Sequence, residues 1–203
     1  MIKFFSLIQN RKTTINPTFI LMKNLIIPII LYIFCLFSSC DKEKTVENYI
    51  NITDTNFEKA LITDGIDDVL DGKVSKSSVS KTTILSINSK KISNLSGLEN
   101  FTQLKYLNCS DNLLTNLDVS KLFYLEVLFC HSNQLTNLDV SKSLNLRHFY
   151  CHSNQLSNLD VSKNNLIYLY CHNNKIQTIC VKSDNLYTKE WQKDSFATYK
   201  VCN

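Results

Sequence analysis

The sequence predicts a solenoid of short parallel strands, and three observations carry the prediction. First, cysteines recur at a fixed step: Cys109, Cys130, Cys151 and Cys171 lie 21, 21 and 20 residues apart. Second, their surroundings recur in register. Leu104, Leu107, Asn112, Leu114, Leu117 and Asp118-Val119-Ser120 return as Leu125, Leu128, Asn133, Leu135, Leu138 and Asp139-Val140-Ser141. They return again as Leu146, Phe149, Asn154, Leu156, Leu159 and Asp160-Val161-Ser162, and finally as Leu166, Leu169, Asn174, Ile176 and Ile179. Third, Leu107 and Cys109 alternate with Tyr106, Asn108 and Ser110. Alternation of period two reads as a short strand with one face inward. One such strand and its loop cannot bury that face alone, so each copy needs the next stacked upon it.

The recurring L-x-x-L-x-C-x-x-N-x-L resembles the leucine-rich repeat. Stacked copies place their strands in a parallel ladder about 4.8 Å apart. Asn112, Asn133, Asn154 and Asn174 fall in the turn after each strand, where backbone N–H and C=O groups need partners. A short amide donates and accepts at once, so stacked asparagines can serve those groups copy after copy. Val119, Val140 and Val161 point inward on the far side, and the flanking Asp and Ser hold tight turns. The rest of each copy is too short for a full helix, which predicts an irregular or 3-10 convex side. An earlier, degenerate copy runs from Ile84-Leu85-Ser86-Ile87 to Ile92 and Leu95, with Lys90 in place of the asparagine. It reads as an edge repeat and brings the count to five repeats over residues 82–179.

The first 40 residues do not belong to this core. Leu25 to Phe37 is almost wholly apolar and follows Lys23. Such a stretch suits the apolar region of a signal peptide better than a spanning helix, which needs about 20 residues. Ser38-Ser39-Cys40 follows and resembles a bacterial lipoprotein signal, in which the cysteine becomes lipid-modified and N-terminal. Phe37 departs from the usual aliphatic residue three places before the cysteine. The alternative is an uncleaved anchor from Phe19 to Phe37, interrupted by Lys23. Met22-Lys23 reads as a more natural start than Met1, leaving residues 1–21 as an extension.

Charge divides at the same place. Lys3, Arg11, Lys12 and Lys23 are the only charges before Cys40; taking them from the 22 basic residues leaves 18, equal to the 18 acidic ones. The formal +4 therefore belongs to the export segment. A domain without basic excess offers no footprint for a phosphate backbone, so no nucleic-acid partner is expected.

Residues 41–45 read as a charged tether and 46–81 as an N-terminal cap. Asp54 or Thr55 can N-cap a helix through Phe57, Ala60, Leu61 and Ile62, ended by Gly65. Its apolar side would cover the open first coil. Asp64, Asp67, Asp68 and Asp71-Gly72 form an acidic loop. Calcium wants clustered carboxylates, but the spacing is not that of an EF-hand, so the loop reads as solvated.

Cys109, Cys130, Cys151 and Cys171 form one inward column. Export permits disulfides. However, neighbours in a parallel ladder stand about 4.8 Å apart, wider than the roughly 3.8 Å between the Cβ atoms of a disulfide. They read as small buried hydrophobes with inert thiols. A stacked row is not a tetrahedron, so zinc through these four is not expected.

No nucleophile motif, H-E-x-x-H or phosphate loop appears, and the three glycines, Gly65, Gly72 and Gly97, are scattered. The chain is not expected to be an enzyme or to need a cofactor. What remains is the outward face of the strands. One column there is Ile84, Tyr106, Val127, His148, Tyr168; the next is Ser86, Asn108, Phe129, Tyr150, Tyr170; the third is Asn88, Ser110, His131, His152, His172. Rings gather toward the C-terminal half. Large amphipathic rings provide contact area at low entropy cost, which marks Tyr106, Phe129, His131, His148, Tyr150, His152, Tyr168, Tyr170 and His172 as the candidate ligand-binding wall. Cross-strand rings that only stabilise an exposed sheet are the alternative. Neighbouring imidazoles could share zinc or change charge near pH 6. Without a carboxylate in their column, polar surface histidines copied with the repeat are the simpler reading, and no metal is assigned.

The tandem repeats, the Ile92…Leu95-Ser96-Gly97-Leu98 lead-in and the lipoprotein-like signal together resemble exported bacterial leucine-rich-repeat proteins of the internalin-like kind. Cys180 and Cys202 bracket a segment, residues 180–203, that leaves the repeat pattern and carries Tyr187, Trp191, Phe196 and Tyr199. Such a Cys…Trp…Cys tail resembles the C-terminal caps of those proteins and implies a Cys180–Cys202 disulfide over the last coil. The resemblance implies a curved solenoid for recognition of a protein, or of a glycan, in adhesion or scaffolding, anchored by lipid to the bacterial envelope. A structural envelope lipoprotein without a specific ligand is the alternative, and a metal sensor built on the histidine row a lesser one.

Overall fold

A computed structural model of the chain describes residues 48–183 and 191–202. The expected signal segment with Cys35 and Cys40, the expected tether at 41–45, and Tyr187 lie outside the described residues. Among the described residues, no helix is long and apolar enough to cross a membrane.

The elements follow in chain order: β1 (Tyr49–Asn51), α1 (Thr55–Thr63), β2 (Lys73–Ser75), α2 (Lys76–Val79), β3 (Ile84–Ser86), a 3-10 turn (Leu98–Asn100), β4 (Tyr106–Asn108), β5 (Val127–Phe129), β6 (His148–Tyr150), β7 (Leu159–Asp160), β8 (Tyr168–Tyr170), β9 (Thr178–Val181), β10 (Trp191–Gln192) and β11 (Thr198–Val201). The main sheet has the order β10-β8-β6-β5-β4-β3 and is parallel throughout. Register is strict: Leu85, Leu107, Leu128, Phe149 and Leu169 face one another in turn, and Trp191 follows. The first five of that column are fully buried.

The sheet thus gains a sixth strand beyond the five of the repeats. Leu169 and Tyr170 pair with Trp191 and Gln192, so the tail that leaves the repeat pattern still extends the ladder before closing it. On the far side of the coils a second, three-stranded parallel sheet has the order β11-β9-β7. Cys180 lies in β9 and Cys202 follows β11; the two are joined by a disulfide, with Cα atoms 5.4 Å apart. The far side is otherwise irregular, and its valines Val119, Val140 and Val161 are buried.

Each coil turns through a left-handed residue two positions after the inner cysteine that follows the strand: Asp111, Ser132, Ser153 and Asn173 have φ near +54° to +55°, and Ser89 in the first coil has +56°. Left-handed backbone costs an L-residue about 1–2 kcal/mol, so something must hold the turn. The next residue in each repeat copy is the asparagine. Its Nδ2 donates to carbonyls of its own coil and the coil before, and its Oδ1 accepts an N–H from the coil before. For Asn133 these are Cys130, His131 and Cys109 oxygens and the Leu114 N–H. Asn154 does the same with Cys151, His152 and Cys130 and the Leu135 N–H. The set continues at Asn174 with Cys171, His172 and Cys151 and the Leu156 N–H. Asn112 reaches into the degenerate first coil, accepting from Lys90 and Ile92 and donating to Ile87.

Both ends are tied down by carboxylates. Asp54 is the N-cap of α1: its Oδ1 accepts from Asn56 and Phe57, and its Oδ2 accepts from Ser93 and Asn94 of the first repeat. Burial pushes this carboxyl up, but the hydrogen bonds from Ser93, Phe57 and Asn56 outweigh it and hold the group below the usual range. Gly97 has φ +104°, and a Cβ there would stand 2.6 Å from Ile52 Cδ1, so a glycine lets the first coil close against the segment after β1. At the other end, Asp194 accepts from the Asn173 and Asn174 N–H groups. It serves groups that a further coil would otherwise meet. In the acidic loop, buried Glu58 of α1 accepts from the Asp71 and Gly72 N–H groups, and the Asp67 and Asp71 side chains accept from backbone N–H groups nearby.

Candidate functional site

The strands are three residues long with the middle one buried, so the flanking two must point away from the core. Strict register then turns the sequence columns into physical rows. Val127, His148 and Tyr168 stand opposite one another, as do Phe129, Tyr150 and Tyr170. All nine candidate residues are half-buried, neither free in solvent nor part of the core.

The rings are stacked along the ladder. Phe129 and Tyr150 have centroids 4.4 Å apart at an interplanar angle of 7°, and Tyr150 and Tyr170 are 5.0 Å apart at 23°. Tyr106 extends the row, tilted, at 5.7 Å from Phe129. The imidazoles form a parallel row: His131 and His152 at 4.4 Å and 9°, His152 and His172 at 4.7 Å and 10°. His148 pairs with Tyr168 at 5.2 Å. The two main rows meet where Phe129 abuts His131 edge-on, at 6.4 Å and 79°. In such stacks each ring covers its neighbour's face. The surface offered outward is a corrugation of ring edges, which carry the positive end of the ring quadrupole, together with phenol and imidazole tips.

Packing sets the electrostatics. Desolvation lowers the His152 pKa, and the flanking His131 and His172 lower it further, to about 4, against the opposing pull of Asp111. Desolvation likewise lowers His131. The middle of the row is therefore neutral at pH 7. Burial raises the phenol of Tyr150, and its neighbours Tyr170 and Tyr168 add to the effect. Stacked imidazoles aim their in-plane lone pairs side by side instead of toward one point, a poor arrangement for a shared zinc ion. Among the described residues, no group of three or more His, Cys, Asp or Glu side chains is placed to hold a metal.

Behind the wall, Cys109, Cys130, Cys151 and Cys171 are buried free thiols. Desolvation pushes Cys109 and Cys171 up to about 12, far from the thiolate that reactivity requires.

Three residues that matter here stood outside the repeat reading. Asp194 closes the end of the asparagine row, but its role depends on the fold of the tail and leaves no periodic trace. Lys193, beside it, donates to the Ala197 carbonyl and lies 5.4 Å from the Tyr199 ring. Asn164 is fully buried, and its Nδ2 donates to the Val140 and Ser143 carbonyls of the previous coil. It stands where earlier copies carry Leu122 and Ser143, so a polar residue in an inward column was the available signal.

Comparison with known proteins agrees with this geometry. The functional domain of InlJ from Listeria monocytogenes, a structure described as including a cysteine ladder, matches with 32% identity and a TM-score of 0.60 over 65% of this chain and 30% of that one. An internalin, InlF, from the same organism matches with 17% identity and a TM-score of 0.53 over 75% of this chain and 58% of that one. The chain thus spans less than two thirds of either structure. No protein-family model matches the chain, and no curated protein does. With its parallel ladder, repeated asparagine turns and C-terminal disulfide, the chain has the leucine-rich-repeat solenoid fold, and its structural neighbours include internalins.

Proposed function

We propose that the protein is an exported recognition module, anchored to the bacterial envelope by a lipid on Cys40, that binds a protein partner through the outward face of its parallel sheet. The observation that carries this reading is the continuous row Tyr106–Phe129–Tyr150–Tyr170 beside three histidines, half-buried and, among the described residues, covered by no other element. Exposed ring patches of this kind mark interaction sites. The likeness to internalins supports a binding role over an enzymatic one. The small number of coils offers a modest wall, so several copies held on one membrane would supply avidity.

The test is capture of partners from envelope and host-cell extracts, with a Phe129→Ser/Tyr150→Ser/Tyr170→Ser variant as the control. Partners held by the native protein and lost by a variant that keeps its far-UV circular dichroism support the reading. Identical capture by both would leave the rings as sheet stabilisers and favour a purely structural envelope role. Anchoring is tested separately: metabolic labelling with a fatty acid should mark the native protein and not Cys40→Ser.

A further inference from the structure

The imidazole row has a feature that its pattern in the sequence does not show. The Nδ1 atoms of His152 and His172 are buried and have no hydrogen-bond partner among the described residues. A neutral imidazole carries one N–H and one lone pair. A buried N–H without an acceptor is rarer and costlier than an unused lone pair. The proton therefore sits on Nε2, and Nδ1 turns its lone pair inward. His131 fits the same tautomer, because its Nδ1 lies 3.3 Å from Ser132 Oγ, which can donate to it. Protonating Nδ1 of His152 would bury an unpaired N–H, so this ring resists becoming cationic and its Nε2–H remains a neutral donor.

Resting on the recognition role proposed above, we infer that this row, with the adjoining phenols of Tyr150 and Tyr170, is a stripe of N–H and O–H donors for the backbone carbonyls of an extended, uncharged polypeptide segment. Three observations select that ligand class. The donors lack the lone pair a metal would need at Nε2. A carboxylate lies near each end of the row: Asp111, whose charge acts on His131 and His152, and Asp194, which binds the backbone N–H groups after His172. An acidic ligand is therefore disfavoured. Finally, ring faces are taken up by ring faces, so the flat platform on which a sugar ring packs is not offered. An extended polypeptide carries carbonyls with no internal partners, and its backbone needs donors rather than faces.

The test uses the native protein, with long-range 1H–15N spectra of the histidine side chains as the readout. His152 and His172 should be protonated at Nε2 in the free protein; protonation at Nδ1 overturns the inference at once. The probes are a blocked oligoproline peptide, an oligoglutamate and a neutral cello-oligosaccharide. Oligoproline should shift the Nε2 signals of His152 and His172. His152→Phe, which keeps the stack and loses the donor, should weaken its binding about threefold to tenfold, the worth of one hydrogen bond. Unchanged binding by His152→Phe, shifts with oligoglutamate or the oligosaccharide in place of oligoproline, or no shift with any probe would each overturn it. The recognition role itself stands or falls on the capture experiment, which does not depend on the partner's chemistry.

Discussion

Replacing Asn154 by alanine removes four hydrogen bonds at once, yet its expected cost is well below four times one bond. The Cys130 carbonyl loses Asn154 and keeps Asn133, while the Cys151 carbonyl loses Asn154 and keeps Asn174. The His152 carbonyl still accepts from the Ser132 N–H. Only the Leu135 N–H, which donates to Asn154 Oδ1, is stranded in a buried site. One orphaned buried donor costs about 1–3 kcal/mol, and the weakened carbonyls add a fraction more, for an expected loss of about 2–4 kcal/mol. Asn112→Ala should cost more. It strands the Ile92 and Lys90 N–H groups and takes the Asn112 donor from the Ile87 carbonyl, because the degenerate coil has Lys90 in place of a second asparagine. Urea unfolding followed by circular dichroism at neutral pH measures both. A loss below about half a kcal/mol for Asn154→Ala, or a smaller loss for Asn112→Ala than for Asn154→Ala, would refute the shared-acceptor reasoning.

Other outcomes follow from the same geometry. Leu128→Ala, at a fully buried site between Leu107 and Phe149, should cost about 2–5 kcal/mol in the same assay. Reducing the Cys180–Cys202 bridge, which closes 22 residues, should cost about 3 kcal/mol and raise hydrogen exchange in β9 and β11 ahead of β4 and β5. Stability should also depend on pH through His152. Its pKa in the folded chain, about 4, lies below its ordinary 6.5, so the unfolded chain takes up the proton first. Its contribution is then complete above about pH 6.5 and erodes as pH falls toward 4. His152→Phe should flatten the urea midpoint across that window, and an unchanged slope would remove His152 as the cause.

Much of the fold was legible because the repeat imposes one spacing on several kinds of residue at once. A leucine, a cysteine and an asparagine that keep step fix strand, facing and turn together. The disulfide was legible from the resemblance of the tail to known caps. The sixth strand was not, because Trp191-Gln192 joins the ladder through backbone pairing alone and carries no leucine signature. Asp54 and Asp194 were equally obscure as end-closures, since a carboxylate that accepts backbone N–H groups looks in sequence like any surface acid. Of the candidate wall, the rows were readable from the columns of the repeat. The stacking of ring upon ring was not, nor was the burial of two Nδ1 atoms, for both depend on side-chain angles that no spacing specifies.

The central claim is one dry interior shared by successive coils, with rings and imidazoles turned outward. Iodoacetamide labelling and brief hydroxyl-radical footprinting, each followed by peptide mapping, test it directly. In native protein Cys109, Cys130, Cys151 and Cys171 should stay unalkylated until urea unfolds the chain, while the edges of Phe129, Tyr150 and Tyr170 are oxidised in the native state. Native cysteines that label freely beside rings that do not oxidise would contradict the facing on which the whole account rests.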